Sequence, residues 1–342
     1  MSLRQKLIQN SSIKHTASLT ESKIFGTKEM ITTAVPMINV AFSGEIDGGF
    51  TPGLTMIAGP SKNFKSGFSL LMIKSFLNKN PDGAVLFYDS EFGTPESYFD
   101  SFEIDKDAVI HTPITDVEEL KFDVMKQLKE IGPKDKVLIV VDSIGNLASK
   151  KEVEDALNEK SVADMTRAKQ IKSLFRMVTP HLTLKNIPMV VVNHTYKELA
   201  LFPKDIVGGG TGSYYSSDTI WILGRQQDKD GKDIKGYHFI INVEKSRYVK
   251  EKSKIPISIS WEGGINRWSG LLENAIEHGS VVKTKPGWYA SVEPEGVSEK
   301  SLREKQIIQN KEFWEERLEN TDLKEFIRRK YKAEQAGGIL ED

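Results

Sequence analysis

Six short apolar segments recur along the chain, separated by polar and turn-forming residues. They are LTMIA (54–58), AVLFYD (84–89), KVLIVVD (136–142), PMVVVN (188–193), TIWIL (219–223) and HFIINVE (238–244). In most of these segments apolar residues follow one another without polar alternation. Such runs are typical of strands that are buried on both faces of a sheet.

Between these segments, apolar residues recur at helical spacing. FKSGFSLLMIKSFL (64–77) follows the first predicted strand, VEELKFDVMKQLKEI (117–131) precedes the third, and ADMTRAKQIKSLFRMVTPHLTL (163–184) precedes the fourth. Strands that alternate with helices predict an α/β domain with a largely parallel central sheet flanked by helices.

The pattern divides the 342 residues into three parts. Residues 1–32 are polar and predict an N-terminal arm, and the alternating pattern fills a core at 33–270. Residues 271–342 are more charged and predict a small helix-rich C-terminal domain with a final helix at 311–332. A single core usually stops growing at roughly 250–300 residues, which favours one large domain with smaller additions.

Composition narrows the function classes. Lys and Arg number 47 against 48 Asp and Glu, so any basic surface must be local. With no cysteine, disulfides and cysteine-ligated metals are excluded. The N-terminus has no signal-peptide pattern, and no apolar run approaches the roughly 20 residues of a membrane span. We therefore expect a cytoplasmic protein without a membrane partner.

The segment GPSKNFKS (59–66) nearly matches the phosphate-binding pattern G-x-x-x-x-G-K-[ST], with Phe64 in place of the second glycine. It lies between a predicted buried strand and a helix, where backbone N–H groups face an anion. Lys65 would reach the β- and γ-phosphates, and Ser66 would ligate Mg²⁺. Phe64 fits if its φ is ordinary and its ring points away. A chance turn is the alternative. The predicted ATP contacts from the loop are Gly59, Pro60, Ser61, Lys62, Asn63, Phe64, Lys65, Ser66 and Gly67.

Polar residues follow three other predicted strands. Asp142 is placed to hold Mg²⁺ through water, and Glu91 to orient or deprotonate an attacking water. Asn193 and His194 form a polar pair where a γ-phosphate could be sensed. Each has an ordinary alternative: a strand-end cap for Asp142, a surface carboxylate for Glu91 and an edge residue for His194.

These strand ends, in this order, resemble the RecA recombinase family. The similarity runs from about Pro36 to Trp288 and includes GPSKNFKS, LFYDSEFGTPESYFDSF, VVDSIGNLASKKEVEDALNEK, NHTY, GGGTG and NVEKSRYVKEKSK. The phenylalanine in the phosphate loop is similar to a phage branch of that family. The resemblance implies a RecA-type P-loop ATPase core that uses ATP and Mg²⁺, and a working ATP site that tolerates Phe64.

The resemblance also assigns roles to individual residues. Glu91 would activate water, and Tyr98 would stack on adenine unless it is a buried helix aromatic. His194 stands where RecA has a glutamine that senses the γ-phosphate. Lys245 and Arg247 would reach the ATP of the neighbouring protomer, in the manner of an arginine finger. A solvated basic strand end is the alternative for these two.

Two loops, at about 144–165 and 195–213, are expected to bind DNA. The helix after the first loop carries a polar stripe of Lys169, Lys172 and Arg176, which on the other interpretation forms only surface salt bridges. The second loop combines cations, an apolar wedge and glycines, a composition that suits a stretched single strand. Its candidate residues are Lys197, Phe202, Lys204, Gly208, Gly209 and Gly210.

The expected function is a DNA-dependent ATPase that forms a helical filament on single-stranded DNA and exchanges strands with homologous double-stranded DNA. The N-terminal arm would contact the next protomer, and a recombination mediator and a single-strand-binding protein would be further partners. Two alternatives remain: a hexameric replicative helicase, disfavoured by the short polar arm, and a weakly hydrolysing nucleotide-dependent DNA scaffold, kept open by Phe64 and His194.

Overall fold

The computed structural model describes residues 1–22, 26, 28–159, 165–198, 203, 205–230, 233–261 and 264–333. Its helices are α1 (Leu3–Gln9), α2 (Pro36–Ser43), α3 (Lys65–Lys79), α4 (Glu96–Ser101), α5 (Val117–Glu130), α6 (Lys150–Leu157), α7 (Thr166–Lys185), α8 (Thr211–Ser216), α9 (Leu271–His278), α10 (Glu304–Ile307), α11 (Lys311–Asn320) and α12 (Leu323–Tyr331).

The strands are β1 (Gly53–Gly59), β2 (Ala84–Asp89), β3 (Val109–Pro113), β4 (Val137–Asp142), β5 (Pro188–Lys197), β6 (Asp205–Val207), β7 (Thr219–Asp230), β8 (Asp233–Lys245), β9 (Lys254–Ser260), β10 (Gly264–Ile265), β11 (Val281–Lys285), β12 (Trp288–Glu293), β13 (Gly296–Val297) and β14 (Leu302–Arg303). Each of the six predicted strands coincides with an observed one.

One large sheet organises the described chain. Its strand order is β10-β9-β8-β7-β1-β5-β4-β2-β3, and β6 pairs with β5. The strands from β7 through β1 to β3 are parallel, whereas β7 to β10 form an antiparallel extension. The predicted α/β class with a largely parallel sheet is confirmed. Because parallel strands end at one edge, this order brings the polar ends of β1, β2, β4 and β5 together.

Alternate residues of the central strands face two separate apolar layers. Ile57 of β1 belongs to the layer that contains α2, α3 and the C-terminal helices, while Met56 and Ala58 face α5 and α7. This two-sided burial explains why the sequence of β1 reads as a continuous apolar run.

The C-terminal part differs from its prediction in two ways. The prediction of a single helix at 311–332 is wrong, because α11 ends at Asn320 and α12 begins at Leu323. Thr321 between them is extended, and its hydroxyl donates to the carbonyl oxygen of Arg317. A small antiparallel sheet of β11, β12, β13 and β14, which the sequence analysis did not predict, also forms here.

The N-terminal arm begins with α1, whose first turn is closed by a capping box between Ser2 and Gln5. The arm joins the core at Glu29, which pairs with Lys79 at 2.9 Å and with Lys136 at 3.3 Å. Among the described helices, none combines the length and apolarity needed to cross a membrane.

Candidate ATP site and DNA surface

The phosphate loop connects β1, in the middle of the sheet, to the first turn of α3. Within the described chain, no side chain caps the N-terminus of α3, so its free N–H groups remain available to an anion. Asn63 anchors the loop to β7, since its side-chain amide donates to the carbonyl oxygen of Leu223 at 2.7 Å. Arg225, also in β7, donates to the carbonyl oxygen of Lys62 at 2.9 Å and attaches the loop to this strand a second time. Sequence reasoning did not identify Arg225.

Phe64 adopts the left-handed region, with φ 57° and ψ 25°. The expectation of an ordinary φ is therefore wrong, and the structure explains why glycine is the usual residue here. The ring does point away from the loop, because it packs against Phe68 and Phe239 at centroid distances of 5.7 and 5.8 Å. A left-handed residue costs roughly 1–2 kcal/mol, and an aromatic pair contributes about 0.5–1.5 kcal/mol. Two such pairs are enough to offset the strain.

The ring of Phe64 also determines its neighbour. A Cβ atom on Gly67 would lie 2.2 Å from Cε1 of Phe64, which is well inside contact distance. A larger residue at position 67 would therefore require the ring of Phe64 to move. At Gly59 the neighbouring strand leaves little room for a side chain, since a Cβ atom there would lie 3.2 Å from the carbonyl oxygen of Leu223.

Lys65 lies buried at the start of α3 and donates from Nζ to the carbonyl oxygen of Pro60 at 2.9 Å. Burial lowers the pKa of Lys65, while the carboxylates of Glu91 and Asp142 act in the opposite direction. The ammonium group therefore sits over the loop and interacts with the carboxylates of Glu91 and Asp142.

Asp142 ends β4 with a side chain that is poorly satisfied within the protein. The residue is 2% exposed, and neither carboxylate oxygen has a hydrogen-bond partner among the described residues. Burial raises the pKa of Asp142 to about 6, and the nearby Ser66 hydroxyl opposes this shift. A buried, unpartnered carboxylate beside a hydroxyl fits Mg²⁺, which prefers oxygen ligands and takes others from water and phosphates.

Glu91 lies just past the end of β2 and points toward β4 and β5. Its Oε1 accepts a hydrogen bond from the Ser143 hydroxyl at 2.6 Å and lies 2.8 Å from Nε2 of His194. The hydrogen bond with His194 is the main cause that lowers the pKa of Glu91 to about 2, against an opposing contribution from burial. Ser143 and His194 therefore hold the carboxylate in place at the ends of three neighbouring strands, a position that suits contact with a water molecule.

Asp89 fixes the backbone that presents Glu91, and sequence reasoning missed it. Its Oδ1 accepts hydrogen bonds from the N–H groups of Glu91 at 3.0 Å and Phe92 at 2.8 Å. Its Oδ2 lies 3.3 Å from Nε2 of His111 on β3. An aspartate followed by a turn is the local signal for this kind of side-chain cap.

His194 connects this centre to the second loop. Its carbonyl oxygen accepts from the N–H of Gly208 at 3.0 Å, and the side-chain amide of Asn193 donates to the carbonyl oxygen of Gly208 at 2.8 Å. A Cβ on Gly145 would lie 2.4 Å from Cδ2 of His194, so the first loop also touches the imidazole. Any movement of His194 therefore reaches both loops.

Lys245 and Arg247 lie away from Glu91, at the C-terminal end of α8. Lys245 Nζ donates to the carbonyl oxygens of Tyr214 at 2.9 Å and Tyr215 at 3.2 Å. Arg247 Nε lies 2.9 Å from Oδ1 of Asp218, and its side chain is 68% exposed. Lys245 pairs with Ile220 at the start of β7, whereas the phosphate loop follows the end of the parallel strand β1, so these cations lie toward the opposite edge of the parallel strands.

The polar stripe of α7 is exposed as predicted, with Lys169, Lys172 and Arg176 opposite the buried apolar face. Lys172 is close to α8, since a Cβ on Gly212 would lie 2.6 Å from Cβ of Lys172. A cavity of about 520 Å³ lies between α7 and α8 and is lined in part by Lys172, Arg176, Gly212, Tyr215, Asp218 and Arg247.

The second loop is described in part. Lys197 pairs with Asp205 at 2.8 Å, where β5 and β6 form a short antiparallel pair. Gly209 and Gly210 have φ values of 89° and 76°, which explains the need for glycine at both positions. Phe202 and Lys204 lie outside the described residues.

Tyr98 on α4 is 51% exposed, so its predicted alternative as a buried helix aromatic is wrong.

Arg167 is a further residue that sequence reasoning missed. Its guanidinium donates to the carbonyl oxygens of Leu147 at 2.6 Å, Ile144 at 3.0 Å and Gly145 at 2.7 Å. It thereby attaches the start of the first loop to α7. Its position at the first turn of α7 is the signal that was available.

Comparison with known protein families extends these observations. A profile described as the RecA N-terminal domain matches residues 12–266. The chain belongs to the RecA family. A second profile, for the C-terminal domain of the phage T4 recombination and repair protein, matches residues 268–327.

Individual relatives agree with this placement. The recombination and repair protein of Enterobacteria phage T4 is 49% identical over 334 residues, which cover 96% of this chain and 85% of that protein. The RecA protein of Streptomyces rimosus is 26% identical over 76% of this chain and 68% of its own length. The RecA protein of Streptomyces venezuelae is also 26% identical, over 92% of this chain and 79% of its own length. The phage branch of the RecA family that the sequence resembles is that of the phage UvsX recombinase, and this predicted similarity is confirmed.

Proposed function

We propose that this RecA-family protein is a DNA-dependent ATPase that assembles on single-stranded DNA with Mg²⁺–ATP and exchanges strands with homologous duplex DNA, in recombination, repair and recombination-dependent replication. The observation that carries the proposal is the convergence of Lys65, Asp142, Glu91 and His194 at one edge of the sheet. A phosphate loop, a metal carboxylate and a water-orienting carboxylate are the parts that phosphoryl transfer to water needs.

The residues act in a defined arrangement. The backbone N–H groups of residues 61–67 and the ammonium group of Lys65 bind and orient the phosphates. Ser66 and Asp142 would hold Mg²⁺, which would neutralise the charge that develops on the phosphates. Glu91, fixed by Ser143 and His194, orients the attacking water in line with the leaving group. Lys245 and Arg247 supply positive charge from the next protomer, so an active site is complete only after assembly.

DNA contact is assigned to the surface beside this site. Lys169, Lys172 and Arg176 would bind phosphates, and residues 195–213, including Lys197, Phe202, Lys204 and the glycines 208–210, would follow the strand. The hydrogen bonds between Gly208 and the pair Asn193–His194 support coupling between ATP state and DNA binding. Tyr98 is proposed to stack on adenine, and residues 1–32 to contact the adjoining protomer.

One experiment distinguishes this proposal from its alternatives. ATP turnover is measured with and without single-stranded DNA, and strand pairing and duplex unwinding are followed on the same substrates. DNA-stimulated turnover with strand exchange supports the recombinase. Unwinding without pairing would favour the hexameric helicase, and assembly without turnover would favour the nucleotide-dependent scaffold.

We predict that Lys245 and Arg247 act in trans. A Lys65→Ala protein and an Arg247→Ala protein should each be inactive, but their equal mixture should recover turnover. In a head-to-tail filament, random mixing places an intact loop against an intact Arg247 at about a quarter of interfaces. Turnover that stays absent at every mixing ratio, while both proteins assemble on DNA, would contradict action in trans.

We predict that the α7 stripe contributes to DNA affinity through charge. Each lost phosphate contact should flatten the slope of log affinity against log salt by about 0.7 for single strands. Replacing Lys172 and Arg176 with alanine should therefore reduce the slope by roughly one to two and weaken binding equally across sequences. The measurement is a salt titration with a non-hydrolysable ATP analogue.

The matched control removes two exposed cations from the neighbouring helix α5, with Lys126→Ala and Lys129→Ala. This variant changes the net charge by the same amount and should keep the wild-type slope. If both double variants show the same slope, the α7 stripe is a solvated helix face and the DNA path lies elsewhere.

A further inference from the structure

The segment that carries Lys245 and Arg247 is bound, just beyond them, by the end of α12. The N–H of Lys250 donates to the carbonyl oxygen of Tyr331, and the N–H of Ala333 donates to the carbonyl oxygen of Tyr248, both at 2.8 Å. Val249 and Lys332 form an antiparallel bridge between these two bonds. We call the contact between residues 248–250 and 331–333 the C-terminal clasp.

Side chains reinforce the clasp from both sides. Lys250 Nζ donates to the carbonyl oxygen of Arg329 at 2.6 Å. Glu45, in the loop after α2, pairs with Lys332 and lies 3.3 Å from Nε of Arg328. Val249 is 1% exposed, so the bridge is seated on the apolar core. The clasp thus ties the cation-bearing segment to the C-terminal domain.

The backbone between the clasp and the two cations is short and is fixed by hydrogen bonds. The N–H groups of Tyr248 and Val249 both donate to the Ser246 hydroxyl at 3.1 Å, which fixes the turn directly after Lys245. Arg247 therefore lies one residue from the clasp and inside a hydrogen-bonded turn. A shift of the clasp must shift the backbone of Arg247.

We propose that the C-terminal clasp positions Lys245 and Arg247 for the ATP of the neighbouring protomer. Residues 331–333 are then positioning residues, which act through Arg247 and do not touch the nucleotide. The inference rests on the proposed function, because it assumes that these cations act across the interface. A cation stabilises a transition state only when it is held in place, and small displacements reduce the rate strongly.

The test removes one hydrogen bond of the clasp. Ala333→Pro eliminates the N–H that donates to Tyr248, and Lys332 has ψ 132°, a value that suits a residue before proline. Ala333→Ser, the matched control, keeps the N–H group. At saturating ATP and single-stranded DNA, the proline variant should turn over ATP roughly threefold to tenfold more slowly, with KM for ATP unchanged. The serine variant should behave as wild type.

Mixing separates a positioning role from general damage. Combined with Lys65→Ala protein, the Ala333→Pro protomers should gain turnover, because the Lys65→Ala neighbour supplies an intact Arg247 segment. Combined with Arg247→Ala protein, they should gain none. The pair Lys65→Ala and Arg247→Ala serves as the reference. If Ala333→Pro fails to assemble, Glu45→Gln loosens the clasp without a backbone change and should give the same pattern with a smaller loss.

The outcomes distinguish the two ideas. If the reference pair recovers but the clasp variants do not gain from Lys65→Ala protein, or gain equally from Arg247→Ala protein, the clasp has no positioning role. Wild-type turnover in both clasp variants also overturns it. If the reference pair itself fails, the assignment of the cations in trans falls, and the clasp inference falls with it.

Discussion

Replacing Lys65 with alanine should abolish ATP turnover without unfolding the protein. The variant loses the cation that is proposed to contact the β- and γ-phosphates, and losing such a preorganised charge costs about 10²–10³ in rate or more. The fold should survive for two reasons. Lys65 gives up only its hydrogen bond to the carbonyl oxygen of Pro60, and burial already disfavours its charged form, as the lowered pKa of Lys65 indicates. Turnover with single-stranded DNA and a thermal melt are the two measurements.

Lys74→Ala is the matched control for this variant. Lys74 lies on the same helix, and its Nζ donates to the carbonyl oxygen of Glu103, away from the loop. The control should retain turnover. Near-normal DNA-stimulated turnover in Lys65→Ala would refute the assignment of the phosphate loop as the nucleotide site.

Glu91→Gln should bind ATP and assemble, but hydrolyse up to about 100-fold more slowly, the order of loss that follows removal of one preorganised polar group. The amide keeps the shape of the side chain but loses the negative charge that His194 and Ser143 hold in place at 2.8 and 2.6 Å. If hydrolysis loosens the proposed filament, filaments on DNA should then last longer. The measurements are single-turnover hydrolysis and filament dissociation after dilution.

Glu96→Gln on α4 provides the control, because Glu96 pairs with exposed Lys106 at 2.6 Å, apart from the catalytic contacts. It should leave both rates unchanged. Filaments of Glu91→Gln that dissociate as fast as wild type would count against a role for this carboxylate in hydrolysis.

The buried parallel strands could be predicted from sequence because burial on both faces leaves a continuous apolar run. Exposed or alternating strands carried a weaker signal. Val109–Pro113 is a mostly exposed edge strand, and Lys254–Ser260 alternates three buried isoleucines with Lys254, Pro256, Ser258 and Ser260, which are more exposed. The break between α11 and α12 depends on Thr321 and is invisible to helical periodicity.

The candidate site followed the same division. Lys65, Glu91, Asp142 and His194 could be found because they stand at the ends of the predicted strands or in a known loop pattern, although β5 itself continues past His194 to Lys197. Asp89 and Arg167 act mainly on backbone groups, and such contacts depend on how distant segments fold together. The left-handed φ of Phe64 was also beyond prediction, because the compensating ring of Phe239 is 175 residues away along the chain.

The contact between Phe64 and Gly67 couples these two positions of the loop. With the ring where it lies, a Cβ atom at position 67 would overlap it, so a larger residue at 67 requires the ring of Phe64 to move. The effect of a substitution at 67 on the free energy of unfolding should therefore depend on the residue at 64, and a double-mutant cycle on the two positions measures this dependence.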